Sequence, residues 1–194
     1  MTLAVFDFDG TLTVKDSLFD FLLFHAGKFK FLLGLVLFTP VFVLYIFRII
    51  PNWRAKEILL TIFLRGENIH HFQSCCDTYS LNNIPSITRK EAIEKLEFHK
   101  RNGHEVVVVS ASPENWLKEW CLANGLALIA TRLDFKGEAL TGKFNGNNCF
   151  GPEKLRRLKS DFNLDSYKEI FVYGDSKGDS EILAIATHPF FRKF

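Results

Sequence analysis

The sequence has few cysteines and almost no net charge, and both shortages exclude classes of protein. Its four cysteines, among 194 residues, form no CxxC pair and no disulfide-framework spacing, which predicts reduced thiols in a cytosolic protein. The 24 basic and 22 acidic residues leave a net charge of +2, and there is no long basic run. A nucleic-acid partner is therefore not expected.

The chain also shows no internal repeat, no low-complexity linker and no leader pattern ahead of its first polar motif. We expect no signal peptide, because Asp7 and Asp9 come before an apolar leader region could. Hydrophobic residues make up 47% and charged residues 24%, which is a globular composition. The length suits one domain with a real core, or one domain that carries a sizeable insertion.

Four apolar runs predict the strands of a parallel sheet. They are LAVFDF at 3–8, HEVVVVSAS at 104–112, LALIATRLDF at 126–135 and KEIFVYGDS at 168–176. A hairpin is expected in KGEALTGKFNGNNCF at 136–150. Helices are expected at 51–64, 86–103, 113–123, 151–162 and 180–187.

The alternation of strands and helices after residue 104 predicts an α/β fold with helices on both faces of the sheet. Residues 13–100 show helical periods and few strand signals, and they are too long for a single crossover. We therefore predict an α/β core formed by residues 1–12 and 101–194, with a helical subdomain, residues 13–100, inserted between the first and second strands.

Polar residues follow three of the predicted strands, at the edge where an open parallel sheet binds its ligands. Asp7 and Asp9 follow the first strand, Ser110 ends the second, and Asp175 and Asp179 follow the fourth. Alternate residues of an extended segment point to the same side, so the first two acids can approach one cation. Magnesium prefers carboxylate oxygens, with phosphate and water completing its shell, so the sequence predicts a Mg²⁺ site here.

With Lys154 on a predicted helix, these residues form one ordered series: DxDGT, a strand that ends in serine, a helical lysine and GDxxxD. In this order the chain resembles the haloacid dehalogenase (HAD) superfamily of phosphohydrolases, over nearly its whole length. It is most similar to the phosphoserine-phosphatase-like branch (subfamily IB), which includes the phosphatidylglycerophosphatase C type. One departure is Gly178, where many relatives have asparagine before the last aspartate.

The resemblance implies a Rossmann-like core with a cap of the C1 type, and a Mg²⁺-dependent phosphatase. It assigns Asp7 as the nucleophile that forms an aspartyl-phosphate, and Asp9 as the general acid and base. The implied phosphate-binding residues are Ser110, Lys154 and the backbone of Gly10 and Ala111. The implied metal ligands are Asp7, Asp9, Asp175 and Asp179.

The predicted cap contains an apolar segment, FLLGLVLFTPVFVLYIF, in which residues 31–47 carry no charge. It is slightly short for a membrane span, and a single crossing would separate Asp7 from the later site residues. Two interpretations stay open. The segment forms buried cap helices or a homodimer contact, broken near Pro40. Alternatively, two short helices in residues 29–50 dip into one leaflet, flanked by basic residues that reach anionic head groups: Lys28, Lys30, Arg48, Arg54 and Lys56.

The substrate is open between a small soluble phosphomonoester, such as phosphoserine, and a lipid phosphate, such as phosphatidylglycerophosphate. Asp16 lies where phosphoserine phosphatases carry a glutamate that meets the substrate amine, although an N-cap for the first cap helix is the favoured interpretation. The expected location is the cytoplasm, with possible association with the inner face of the membrane. The rival classes are a phospho-receiver domain and a catalytically silent membrane-binding protein.

Overall fold

Five parallel strands form the central sheet of the computed structural model, which describes residues 1–194. The strands along the chain are β1 (Thr2–Phe6), β2 (Glu105–Pro113), β3 (Ala127–Thr131), β4 (Leu133–Lys136), β5 (Ala139–Phe144), β6 (Glu169–Gly174) and β7 (His188–Phe191). The sheet has the order β3-β2-β1-β6-β7, and β4 and β5 form a separate antiparallel pair. The predicted α/β class with a parallel sheet is confirmed.

Five helices lie between β1 and β2, and three follow later in the chain. The first group is α1 (Ser17–Ile46), α2 (Asn52–Leu64), α3 (Ile69–Asn82), α4 (Ile84–Ile87) and α5 (Lys90–Arg101). The second group is α6 (Lys118–Ala123), α7 (Pro152–Asp161) and α8 (Ser180–Ala184). Helices α1–α5 lie where the helical cap was expected, at residues 13–100, with α5 extending to Arg101. That the core and the cap are separate domains stays a prediction.

Side chains of the central strands alternate between two apolar layers, as the period of a strand requires. Ala4 and Phe6 of β1 face a layer that extends into α1, α2, α3 and α6. Leu3 and Val5 face the opposite layer, which includes residues of α7 and α8. Because both faces of the sheet are covered, the central strands are continuous apolar runs rather than alternating ones.

The apolar segment of the cap is one long helix, so the predicted break at Pro40 is wrong. Helix α1 continues through Pro40, and the departure from helical geometry is at Gly27, with φ 72° and ψ 161°. A proline removes its own N–H donor and crowds the carbonyl four residues earlier, but the helix here absorbs both effects, and the Thr39 hydroxyl donates to the Leu35 carbonyl at 2.9 Å. Glycine adopts a positive φ without the steric cost of a side chain, which explains why the chain bends there instead.

The later strands differ from the prediction at two places. The expected strand at 126–135 is divided: β3 joins the sheet, whereas β4 pairs with β5 in a hairpin that begins earlier than expected. This hairpin packs against α2, where a side chain at Gly142 would collide with the Thr61 backbone, 2.4 Å away. Strand β7 was not predicted, because four residues that include Pro189 give no alternating pattern long enough to recognise.

Candidate active site

A buried lysine joins two aspartates at the carboxyl edge of the sheet. The Lys154 ammonium lies 2.5 Å from Asp7 Oδ1 and 2.6 Å from Asp179 Oδ1. The three residues are 2%, 5% and 0% exposed, respectively. Because a buried charge is costly without a partner, this shared ion pair holds the two carboxylates close to each other.

A third carboxylate completes an acidic cluster made of Asp7, Asp175 and Asp179. One carboxylate oxygen from each residue lies within 4.8 Å of the others. The neighbouring Gly10 has φ 84°, and a Cβ there would lie 2.4 Å from Asp175 Oδ2. Only glycine therefore lets the loop after β1 approach Asp175 so closely. The oxygen donors and the space left by the absent side chain fit a magnesium ion.

Asp179 is held by the loop that carries it. Its Oδ2 accepts hydrogen bonds from the backbone N–H groups of Asp175 and Ser176, at 3.2 and 3.0 Å, and from the Ser176 hydroxyl at 2.9 Å. The ring of Phe150 occupies the space beside Gly178, where a Cβ would lie 2.4 Å from Phe150 Cε2. This packing explains why glycine rather than asparagine precedes Asp179.

The carboxylate of Asp9 points away from the acidic cluster. Its Oδ1 accepts from the Ser17 backbone N–H and its Oδ2 from the Ser112 hydroxyl, both at 2.6 Å. The structure therefore does not bring the Asp9 side chain to the predicted metal ligands, and of this residue only the backbone carbonyl stays a candidate ligand. Ser17 begins α1, so the first turn of the helical insert holds this carboxylate in place.

The predicted phosphate-binding residues lie around the same edge. Ser110, which is fully buried, accepts the backbone N–H of Ser112 at 3.0 Å through its hydroxyl oxygen. The carbonyl of Ala111 accepts the Thr131 hydroxyl at 2.9 Å. The Thr11 hydroxyl donates to Asp7 Oδ2 at 3.3 Å, which helps to order the loop after β1.

Burial dominates the protonation of this edge. It raises the pKa of Asp7 to about 7, although Lys154 partly offsets the shift. Burial likewise raises the pKa of Asp9, with the Asp16 charge adding to it, and that of Asp175, with Asp179 adding to it. For Lys154, burial alone would lower the pKa, but the attraction of Asp7 and Asp179 outweighs it and raises the pKa.

Asp16 is an N-cap, as favoured from the sequence. Its Oδ1 accepts from the backbone N–H groups of Leu18 and Phe19, at 2.9 and 3.4 Å. These bonds satisfy free donors of the first turn of α1. Contact with a substrate amine therefore stays a prediction.

Two serines that hydrogen bond to Asp9 were not predicted from the sequence. Ser112 was open to prediction, because it lies two residues after Ser110 and on the same side of the strand. Ser17 gave no such signal, since 95 positions separate it from Ser112, to which it hydrogen bonds at 3.2 Å. The indole N–H of Trp116 also donates to the Ser17 hydroxyl at 3.3 Å, which ties α1 to the segment after β2.

Comparison with known proteins shows which sequences this chain is similar to. The family model of haloacid dehalogenase-like hydrolases matches residues 4–184. Protein CicA from Caulobacter vibrioides is 34% identical over 196 aligned residues, which cover 99% of this chain and 86% of that protein.

Solved structures agree on the fold. A Bordetella pertussis protein of unknown function superposes with a TM-score of 0.84 at 22% identity, over 97% of this chain and 88% of that one. A substrate-bound phosphoserine phosphatase superposes with a TM-score of 0.68 at 19% identity, over 97% of this chain and 84% of that one. These two matches show a shared fold, and the family model confirms the predicted resemblance to the haloacid dehalogenase superfamily.

Proposed function

Because the chain belongs to the haloacid dehalogenase-like hydrolase family, we propose that it is a magnesium-dependent phosphomonoester hydrolase that forms an aspartyl-phosphate. The observation that carries the proposal is the buried meeting of Asp7, Lys154 and the acidic cluster at one edge of the sheet. A receiver domain would explain the lysine and the acidic cluster. It would not explain Asp9, which Ser17 and Ser112 hold in place, or the helical insert.

In the first step a carboxylate oxygen of Asp7 attacks phosphorus, and the bond from phosphorus to the substrate oxygen breaks. Asp9 gives a proton to the departing oxygen, which leaves as an alcohol. In the second step Asp9 takes a proton from water, the water oxygen attacks phosphorus, and the bond to Asp7 breaks. The products are inorganic phosphate and the free Asp7 carboxylate.

Other groups would stabilise the negative charge on the phosphoryl group during this reaction. We assign Lys154 and the Ser110 hydroxyl as donors to the phosphoryl oxygens. Magnesium held by Asp7, Asp175, Asp179 and the Asp9 backbone carbonyl would offset the repulsion between a carboxylate and a phosphate anion. Asp7 must be ionised to attack, and a nearby cation favours the ionised form against the effect of burial.

The raised pKa of Asp9 suits its proposed role. A general acid must hold its proton near the working pH, and burial favours the protonated form of this carboxyl. The hydrogen bond from Ser112 and the Ser17 N–H keep the side chain in one position. Because Ser17 belongs to the insert, movement of α1 would change the position of the acid as well as access to the edge.

A screen of phosphomonoesters, with and without magnesium, tests the proposal. The wild-type protein should hydrolyse a generic aryl phosphate, if no other ester, and should do so only when magnesium is present. Magnesium should also raise the melting temperature of the protein. The Asp7→Asn variant should lose turnover by a factor on the order of 10³ or more. Hydrolysis that survives this substitution would show that Asp7 is not the nucleophile.

Lipid phosphates are a second candidate substrate class, favoured by the large apolar side chains that α1 exposes, such as Leu32, Val36 and Leu37. An apolar surface of this kind favours a substrate that is itself held in a lipid phase. The screen should therefore compare a water-soluble phosphomonoester with phosphatidylglycerophosphate in detergent micelles. A preference for the soluble ester would reject the lipid class.

A further inference from the structure

The second half of α1, residues 28–46, is apolar on two opposite sides, although it packs on only one. Its inner side meets α2, where a Cβ at Gly34 would lie 2.2 Å from the Phe63 ring and where Phe38 is buried. Its outer side carries large exposed apolar residues, which we call the outer apolar face: Phe29, Leu32, Leu33, Val36, Leu37 and Phe47. Their exposed fractions run from 53% to 83%.

Such a surface is unusual in water. From Phe29 to Leu37 these residues recur at the i, i+3 and i+4 spacing of one helix face, which puts them on one stripe. Phe47, at the end of the helix, comes 18 positions or five turns after Phe29 and so lies on the same side. Soluble proteins rarely expose large continuous apolar patches, and those that do use them to bind a partner or a membrane. The helix is long and apolar enough to cross a membrane by length and composition alone, and only 11% of its most apolar window is buried.

The charges around the stripe indicate which partner fits. No acidic residue occurs between Asp20 and Glu57, whereas five basic residues do: Lys28, Lys30, Arg48, Arg54 and Lys56. None of these five forms an ion pair within the protein. Lys28 and Lys30 adjoin Phe29 in the chain and Arg48 adjoins Phe47, so unpaired positive charge lies at both ends of the exposed stripe.

A second copy of the chain would fit this surface poorly, because a symmetric contact brings the same patch of both copies together. Five basic residues would approach five more, and no acidic residue between Asp20 and Glu57 is present to pair them. Glu67, which lies beside Leu33 and Leu37, already contacts His25 and His71. An anionic lipid bilayer fits both the apolar stripe and the basic residues. The bilayer interior accepts the apolar side chains, and the head groups accept the basic ones. Trp53, 47% exposed beside Arg54, is the residue type enriched at the membrane interface.

We propose that the outer apolar face docks on the surface of an anionic lipid bilayer, with α1 lying in the plane of the interface. The helix does not cross the bilayer, because its inner side is packed on α2 and both of its ends return to the protein. Over residues 28–46 it extends about 28 Å at 1.5 Å per residue, enough for a broad contact. The docking does not depend on the proposed phosphatase activity, so the two can fail separately.

Sedimentation with lipid vesicles tests the docking. The wild-type protein should pellet with vesicles of equal parts phosphatidylcholine and phosphatidylglycerol, and much less with phosphatidylcholine alone. Added salt should weaken the binding. The emission of Trp53 should shift to shorter wavelength on binding, and the other tryptophans, Trp116 and Trp120, are already buried.

Paired variants separate this face from a general effect of added charge. Leu33→Glu with Leu37→Glu should weaken vesicle binding about tenfold or more, and so should Arg54→Gln with Lys56→Gln. Leu81→Glu with Leu122→Glu, at 50% and 59% exposed positions elsewhere, should bind like the wild type. Circular dichroism should show that all three variants remain folded. The Asp7→Asn variant should also bind like the wild type.

Three results would overturn the proposal. One is equal binding to neutral and anionic vesicles, and another is undiminished binding by the Leu33→Glu, Leu37→Glu variant. The third is a wild-type dimer in light scattering that becomes a monomer in that same variant, which would show that a second copy covers the face.

Discussion

The acidic edge of the sheet and the outer apolar face depart in opposite ways from the usual distribution of residues in a soluble protein. At the edge, the charged groups of Asp7, Lys154 and Asp179 are buried. On α1, side chains such as Phe29 and Val36 are 83% and 68% exposed. Both arrangements cost free energy in water. Under the two proposals made above, each region is completed by something that the isolated chain lacks: a cation and phosphate at one, and a lipid surface at the other.

The substitution with the largest expected effect tests whether the acidic edge of the sheet is catalytic rather than structural. Asp9→Asn should lower kcat/KM for an alkyl phosphate by about 10²- to 10⁴-fold, because the leaving alkoxide then receives no proton. An aryl phosphate, whose leaving group needs less protonation, should lose much less. We compare kcat/KM because it covers only the steps up to release of the alcohol, and not the later hydrolysis in which Asp9 serves both esters as base. Steady-state kinetics on the two ester types checks this, and equal losses of kcat/KM would mean that Asp9 is not the general acid.

Removing the buried cation tests what holds the edge together. Lys154→Met should lower the free energy of unfolding by about 3 kcal/mol or more, because two buried carboxylates lose their partner. Urea denaturation in magnesium-free buffer measures the change. Arg156→Met on the same helix is the matched control, since the Arg156 side chain is 65% exposed and its loss should leave stability close to that of the wild type. Similar stability of both variants would contradict the ion-pair interpretation.

Two truncations on α1 compare its inner and outer sides. Phe38→Ala, at a 7% exposed position against α2, should lower the free energy of unfolding by about 3 kcal/mol. Leu37→Ala, at a 60% exposed position, should change it by less than about 0.5 kcal/mol. Thermal or urea unfolding without lipid checks both. A large cost at Leu37 would mean that the outer apolar face is covered in solution.

The smallest expected effect concerns a buried histidine behind the edge. Burial, with the neighbouring charges of His104 and Lys95, lowers the pKa of His99 from 6.5 to about 4 in the folded protein. The unfolded chain therefore binds the proton more tightly, and stability should fall by on the order of 2 kcal/mol as the pH drops from 6.5 to 4. His99→Gln should flatten this decline, while His70→Gln at an exposed position should not. Urea denaturation at several pH values measures it, and an unchanged decline in His99→Gln would contradict the assignment.

Much of the fold was open to prediction because it depends on local patterns. The runs at β1, β2 and β6 are buried on both faces, so they are apolar without interruption and easy to recognise. Helix α2 begins beside Pro51 and α5 ends before Gly103, whose φ is 67°, as helix-end signals predict. The single strand expected at 126–135 failed for a different reason. Its second half pairs with β5 and packs on α2, and neither contact leaves a mark on the local pattern.

The sequence by itself determined the catalytic candidates, because the chemistry requires particular residue types in order along the chain: two aspartates, a serine, a lysine and two more aspartates. It also determined that a long uncharged segment lies between them. The folded structure was needed to show that Ser17 and Ser112 hold Asp9 away from the acidic cluster, and that α1 bends at Gly27 and not at Pro40. The position of Asp9 depends on contacts between residues distant in the chain, which a local pattern does not record. Glycine and proline both permit a bend locally, so the pattern alone does not select between Gly27 and Pro40.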